Sequence, residues 1–267
     1  MRLKDQACVV VGAGQTPGET IGNGRAAAIT YAREGARLLL ADIDADRVAE
    51  TQSMIAEEGL DAEVTTADVK LEDDCRAIMT TAVERFGRID VLHYNVGKSQ
   101  GDSEVTELGR ENWTDIMEMN LTGFYLCCKH ALPIMREQHS GVITAISSMA
   151  AHGAHMNMTY GVSKSGMNSL VKSMAIHNAG YGIRINSIMP GLMDTPMAIE
   201  RRASEQNRSR DEIRGDRARQ VPLLGQQGTG WDVANAALFL ASCEAGYITG
   251  ICLPVDGGLS AQGELRG

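Results

Sequence analysis

Short β-branched or apolar runs alternate with longer helical patterns from one end of this 267-residue chain to the other. That alternation is the pattern of βαβ units, in which parallel strands are joined by crossover helices lying on the sheet faces. The runs expected as strands are Ala7–Val11, Arg37–Ala41, Ala62–Ala67, Ile89–Tyr94, Val142–Ile146, Arg184–Ile188 and Ile251–Pro254. Gly35, Gly59 and Gly87 punctuate helix ends between them. Pro133 falls late in the long helical stretch Glu111–Gln138 and predicts a kink or a new helical turn there. No repeat or linker breaks the rhythm, so one core is expected in a single domain spanning 1–267.

Charge and composition exclude several classes of function. Lys and Arg number 25 against 34 Asp and Glu, a net charge of -9 without any block of like charge, which argues against a nucleic-acid partner. No apolar stretch approaches the roughly 18 to 20 residues that span a bilayer, so no membrane partner is expected. The opening Met1-Arg-Leu-Lys-Asp lacks an apolar signal core, which predicts a cytoplasmic protein. Six cysteines (Cys8, Cys75, Cys127, Cys128, Cys243 and Cys252) show no Cys-x-x-Cys pair and read as reduced, mostly buried thiols. His152 and His155 lie near the catalytic candidates below, but read as pocket lining, and no metal is expected.

The first strand runs into Gly12-Ala-Gly14-Gln-Thr-Pro-Gly18-Glu-Thr-Ile-Gly22-Asn23-Gly24, after which a helix begins. Glycines at such a turn let backbone approach a pyrophosphate, and the helix N-terminus supplies N–H donors. The second strand ends in Asp42, 18 residues beyond Gly24 and close to the distance expected of an acid on a ribose. A carboxylate there repels a 2'-phosphate, and the next residue, Ile43, brings no compensating cation. The expected cofactor is therefore NAD rather than NADP. The expected fold class is α/β: a Rossmann-like, doubly wound parallel sheet of about seven strands with helices on both faces.

Further along stand Asn120, Ser147-Ser148 and Tyr160-Gly-Val-Ser-Lys164. Four residues are about one helical turn, so Tyr160 and Lys164 project from one helix face. A cation beside a phenol favours phenolate, and lowering a tyrosine pKa by about 3 units takes about 4 kcal/mol. A serine hydroxyl nearby can bind the substrate oxygen while the phenol moves the proton.

With the glycine turn, Asp42, Asn120, Ser148, Tyr160 and Lys164 in this order, the chain resembles the short-chain dehydrogenase/reductase family over nearly its full length. Ala67-Asp68-Val69 resembles that family's adenine-contacting turn, and Tyr94-Asn95-Val96-Gly97 its Asn-Ala-Gly strand end. Pro190-Gly191-Leu-Met193-Asp-Thr195 is similar to its nicotinamide loop, and Tyr247–Gly258 to its C-terminal strand. The resemblance implies that Tyr160 exchanges the proton, that Lys164 binds the nicotinamide ribose and lowers the tyrosine pKa, and that Ser148 orients the substrate oxygen. It also implies that Asn120 holds a relay water and that Met193 and Thr195 hold the carboxamide. Gly12 and Gly22 stand ten positions apart, further than in the family pattern, so either the turn bulges outward or Gly18 takes the first position. Ser148 is twelve residues before Tyr160 and Ser147 thirteen; Ser148 is the one assigned.

The substrate pocket is expected from the residues after Gly97 and after the serine, which points to Lys98, Ser99, Ala150, His152, Met156, Met158 and Leu192. A substrate lid is expected at about 194–225, overlapping the irregular, charged segment Ala198–Gly230. Its arginines, from Arg201 to Arg219, read as a solvated face; the sharper reading has one or two of them meeting a carboxylate or phosphate of the substrate. The expected function is NAD-dependent oxidation of a secondary alcohol to a ketone, by a homotetramer assembled through long helices. A 3-oxoacyl thioester reductase is the alternative, with Asp42 against it. An enoyl thioester reductase fits the long glycine turn but not the Tyr160 to Lys164 spacing. A noncatalytic NAD-binding protein would be expected to lack one of the four catalytic residues.

Overall fold

The computed structural model of the chain describes residues 1–153 and 158–265. Seven parallel strands form its central sheet, in the order β3-β2-β1-β4-β5-β6-β9. They are β1 (Ala7–Val11), β2 (Arg37–Asp42), β3 (Glu63–Thr66), β4 (Val91–Tyr94), β5 (Gly141–Ile146), β6 (Ile183–Pro190) and β9 (Cys252–Val255). A separate parallel pair, β7 (Met193–Asp194) and β8 (Gly228–Thr229), lies beyond the end of β6. β3 is shorter than the run that predicted it because it is an edge strand, bonded only to Leu39–Asp42. Gln138 removes Ile89 from the ladder, accepting from its N–H at 2.9 Å and donating to its carbonyl at 2.7 Å.

Strand β1 and Leu38–Ala41 of β2 read as unbroken apolar runs, and β4 is apolar but for the buried His93, because both faces of the sheet are covered. Side-chain alternation splits them between two cores. Val9 and Val11 face α3 (Glu72–Phe86), α5 (Gly123–Gln138) and α6 (Met158–Asn178). Cys8 and Val10 face α1 (Asn23–Arg33), α2 (Ala45–Glu57) and α9 (Gly230–Ala241). Among the described residues no helix is long and apolar enough to cross a membrane.

The stretch expected as one helix with a break at Pro133 begins as α4 (Arg110–Met117), passes through a π-helical turn at Glu118–Thr122, and continues as α5. Pro133 lies inside α5 without ending it. The carbonyl it leaves unbonded belongs to Lys129, an exposed residue that water can satisfy. The irregular turn lies upstream because a tertiary partner stabilises it. The Tyr94 hydroxyl donates to the Met119 carbonyl at 2.7 Å, and a Cβ on Gly123 would stand 2.7 Å from that hydroxyl.

Between β7 and β8 the charged segment forms two helices, α7 (Pro196–Gln206) and α8 (Arg210–Ala218), anchored by buried Ile199 and Ile213. All six cysteines are free thiols, four of them buried.

Candidate active site

Strand order reverses at β1 and β4, whose neighbours lead away to opposite edges of the sheet. Such a switch point leaves a crevice beyond the carboxyl ends of the strands. A cleft of about 720 Å³ opens there, within the usual size range of a cofactor site.

Two glycines close the turn at its floor. Gly12 has φ +82, and a Cβ there would lie 3.0 Å from the Val96 nitrogen; a Cβ on Gly24 would lie 2.0 Å from the Gly12 carbonyl oxygen. The extra residues bulge away from the cleft, pinned by Gln15, which accepts from Gly22 N–H at 2.7 Å and donates to the Thr20 carbonyl at 3.2 Å. Gly18, expected at the pyrophosphate, stands outside the cleft. It packs on α7, where a Cβ would come within 2.8 Å of Pro196 and 2.9 Å of Glu200. Gly12, Gly22 and Asn23 do line the cleft. Helix α1 starts without a side-chain cap, and the buried Asn23 Oδ1 has no hydrogen-bond partner among the described residues. Open N–H donors and close backbone approach fit a dinucleotide phosphate.

At the far end, Asp42 accepts from Gly14 N–H at 2.9 Å and from Asp44 N–H at 3.2 Å. Ile43, Asp68 and Val69 line the same end, as expected of an adenosine site. Arg47, in the first turn of α2, also lines it and was not anticipated; its guanidinium pairs with Asp44 at 2.9 Å.

At the opposite end, strand alternation separates the two serines beyond β5. Ser147 is buried, and its hydroxyl donates to the Lys164 carbonyl at 3.3 Å. Ser148 instead accepts from Ala150 N–H at 3.1 Å and shares a hydrogen bond with the Tyr160 phenol. Tyr160 stands in the first turn of α6, whose N-terminus is held by Asp102: its carboxylate accepts from Thr159 N–H at 3.1 Å and from Tyr160 N–H at 2.8 Å. Asp102 was not anticipated; the two contacts link residues more than fifty positions apart.

Lys164 follows one turn later with its side chain almost wholly buried, 5.8 Å from the Tyr160 ring centre. Its ammonium donates to the Ile146 carbonyl at 2.8 Å and the Val96 carbonyl at 3.2 Å, and desolvation lowers its pKa to about 7. The phenol of Tyr160 departs from the expectation of a lowered pKa. Burial raises it, opposed by the hydrogen bond from Ser148 and the charges of Arg201 and Arg202. The lysine that was expected to lower it is occupied by two carbonyls and is itself easily neutralised.

Asn120 lies in the π turn below the cleft. Its Oδ1 accepts from Lys98 N–H at 2.8 Å, and its Nδ2 donates to the Lys98 carbonyl at 2.9 Å and to Ser163 Oγ at 3.0 Å. The side chain clamps the loop after β4 to the helix that carries Tyr160. Asn95 and Gly97 line the cleft from that loop, Gly97 so closely that a Cβ would be 3.1 Å from Lys164 Nζ. Pro190, Gly191, Leu192, Met193 and Thr195 form the facing wall.

The expected substrate residues divide. Lys98, Ser99 and Leu192 line the cleft. Ala150 is buried, His152 is exposed and Met158 is half-buried; none of the three is part of the cleft wall. Met156 and His155 lie outside the described residues. In their place α7 and α8 contribute Met197, Arg201, Arg202 and Arg217.

The family model described as enoyl-(acyl carrier protein) reductase matches residues 19–260. A cis-4-hydroxycyclohexanecarboxylate dehydrogenase of Sinomonas cyclohexanicum is 34% identical over 245 residues, covering 91% of this chain and 94% of the relative. A short-chain type dehydrogenase/reductase of Mycobacterium ulcerans superposes with a TM-score of 0.88 at 28% identity, covering 98% of this chain and 92% of the other. A variant of actinorhodin polyketide ketoreductase, solved with NADPH, gives a TM-score of 0.88 at 30% identity, with 97% and 99% coverage. The cleft at the switch point and these matches over nearly the whole length lead to one conclusion: the chain belongs to the short-chain dehydrogenase/reductase family, oxidoreductases that use a nicotinamide cofactor on alcohols and ketones.

Proposed function

We propose that this protein is an NAD-dependent dehydrogenase that oxidises a secondary alcohol to a ketone. The observation that carries the reading is one continuous cleft with Asp42 at one end and Ser148, Tyr160 and Lys164 at the other. A bound nicotinamide supplies the hydride acceptor. Tyr160 takes the hydroxyl proton as the carbonyl forms, acting as the phenolate that the Ser148 hydrogen bond and the charges of Arg201 and Arg202 favour against burial, and returns it to the oxygen when the reaction runs in reverse. Ser148, already hydrogen-bonded to that phenol, holds the substrate oxygen at the same point. Lys164, anchored to the Ile146 and Val96 carbonyls, stands one turn beyond Tyr160 where it would hold the nicotinamide ribose, and Asn120 fixes the loop that walls the nicotinamide side. Asp42 favours NAD, since its carboxylate repels a 2'-phosphate while Arg47, the nearby cation, is paired with Asp44. The helix pair α7–α8 serves as the substrate lid over residues 194–225. The protein is cytoplasmic, and it works as a homotetramer, an assembly supported by exposed Tyr125 on α5 and Val162 and Ile176 on α6.

The test is a screen of secondary alcohols with NAD, following NADH formation, with Tyr160→Phe as control. Turnover that the variant loses by a factor of about 100 or more supports the reading. Turnover unaffected by Tyr160→Phe would sink it.

A further inference from the structure

Among the charged residues of the helix pair, most arginines are matched by carboxylates. Arg208 pairs with Asp216 at 2.6 Å, Arg210 with Glu200 at 2.8 Å, and Arg214 with both Glu19 at 3.0 Å and Asp194 at 3.1 Å. The arginines of this helix pair that line the cleft do not follow that pattern.

Arg202 has no carboxylate within 4.0 Å among the described residues; its guanidinium donates to the Ala198 carbonyl of its own helix at 2.9 Å. Arg201 reaches only Glu205, at 3.7 Å, and its buried Nε has no hydrogen-bond partner among the described residues. Both charges act on the Tyr160 phenol, which places them at the reacting end of the cleft. Glu200, the acid of α7 that lines the cleft, is committed to Arg210. Arg217, buried behind them, adds a third charge while donating to Gln227 Oε1 at 2.7 Å and to the Met193 carbonyl at 3.1 Å.

Arg201 is also held in place. Its Nη1 donates to Ser99 Oγ at 2.7 Å, and Ser99 follows Lys98, the residue whose backbone Asn120 clamps. Adjacent half-buried guanidiniums repel each other and lose hydration, and an oxyanion relieves both costs with bidentate, charge-assisted hydrogen bonds.

We infer that Arg201 and Arg202 form an oxyanion subsite beside Tyr160, so that the alcohol oxidised carries an acid group, a carboxylate or a related anion. The inference rests on the dehydrogenase reading above and names its substrate class. A nucleotide phosphate is the other source of the same chemistry, and the test separates the two.

Calorimetric titrations would compare four ligands with one six-carbon chain: hexanoate, hexanesulfonate, hexyl phosphate and the neutral hexanamide. Each is added to the intact protein saturated with NADH. The proteins are the wild type, the double variant Arg201→Gln/Arg202→Gln, and Arg219→Gln, a solvent-exposed control that pairs with Asp216. The wild type and control should bind at least one of the anions about tenfold or more tighter than the amide, and the winning head group identifies the acid. In the double variant that preference should fall to about twofold or less with NADH affinity unchanged, as expected when only charge-assisted bonds to the ligand are removed. Equal binding of amide and anions by the wild type would overturn the inference while leaving the dehydrogenase reading intact. Loss of NADH affinity in the double variant would also overturn it, and assign the arginines to the cofactor. Failure of the folded wild type to bind NADH would overturn the dehydrogenase reading itself, and the inference with it.

Discussion

The ammonium of Lys164 donates to the carbonyl oxygen of Ile146 at 2.8 Å, so the lysine is fastened to the end of β5. A second carbonyl, that of Val96 at 3.2 Å, fixes it to the loop after β4. Its burial lowers its pKa to about 7, against an unfolded value near 10.5. Below about pH 7 the native state must hold a buried charge that the unfolded chain carries in water. As pH rises from 7 toward 10.5, the unfolded chain binds more protons than the native one, and this group's contribution to stability increases. The stability of wild type relative to Lys164→Met should therefore rise between pH 7 and 9, by at most about 1.4 kcal/mol per pH unit. Urea unfolding of both proteins across that range measures it; a difference that stays flat or falls would contradict the burial argument.

The adjacent serines should behave unequally. Ser148 is hydrogen-bonded to Tyr160 whereas Ser147 is buried against the Lys164 carbonyl. Ser148→Ala is expected to lower kcat by about 100-fold, and Ser147→Ala by less than about tenfold. Steady-state kinetics of the two variants on one alcohol decide it, and a larger loss for Ser147→Ala would reverse the assignment.

Asp102 acts at one remove from the chemistry, by accepting from the N–H groups of Thr159 and Tyr160. Asp102→Ala should destabilise the fold by about 1 kcal/mol, as other lost helix caps do. It should also lower kcat while leaving NADH affinity intact, because the start of α6 no longer fixes the phenol. If unfolding shifts while kcat stays at the wild-type value, Asp102 is a cap and nothing more.

Gly24 and Gly18 provide a contrast within one loop. A methyl group at 24 would meet the Gly12 carbonyl oxygen at 2.0 Å, whereas one at 18 meets side chains of α7. Gly24→Ala should abolish NADH binding or folding; Gly18→Ala should disturb the packing of the loop on α7 but keep NADH affinity within about threefold, since Gly18 stands outside the cleft. Equilibrium titration of both variants is the check, and a Gly18→Ala protein that no longer binds NADH would return Gly18 to the pyrophosphate.

Much of this architecture was legible in sequence because the strands are covered on both faces. Leu38–Ala41 is apolar at every position and Val91–Tyr94 at all but the buried His93, which makes them conspicuous. Tyr160 and Lys164 were legible for a similar reason, since helical spacing places them on one face without any tertiary information. What escaped depended on partners distant in the chain. The π turn at Glu118–Thr122 is stabilised by Tyr94, and the start of α6 by Asp102. The course of the glycine loop depends on Gln15, a residue with no glycine-like signature. The arginines between Arg201 and Arg219 were visible as charges, but only the fold separates those matched by carboxylates from those facing the cleft.

The most direct test of an NAD-dependent dehydrogenase is a titration of NADH and NADPH into the wild type and Asp42→Ala. A preference for NADH of about tenfold or more that shrinks in the variant is the predicted result, on the proposal that Asp42 accepts from a ribose hydroxyl and repels a 2'-phosphate. Tighter binding of NADPH by the wild type would contradict it, and a 3-oxoacyl thioester reductase would become the better account of this cleft.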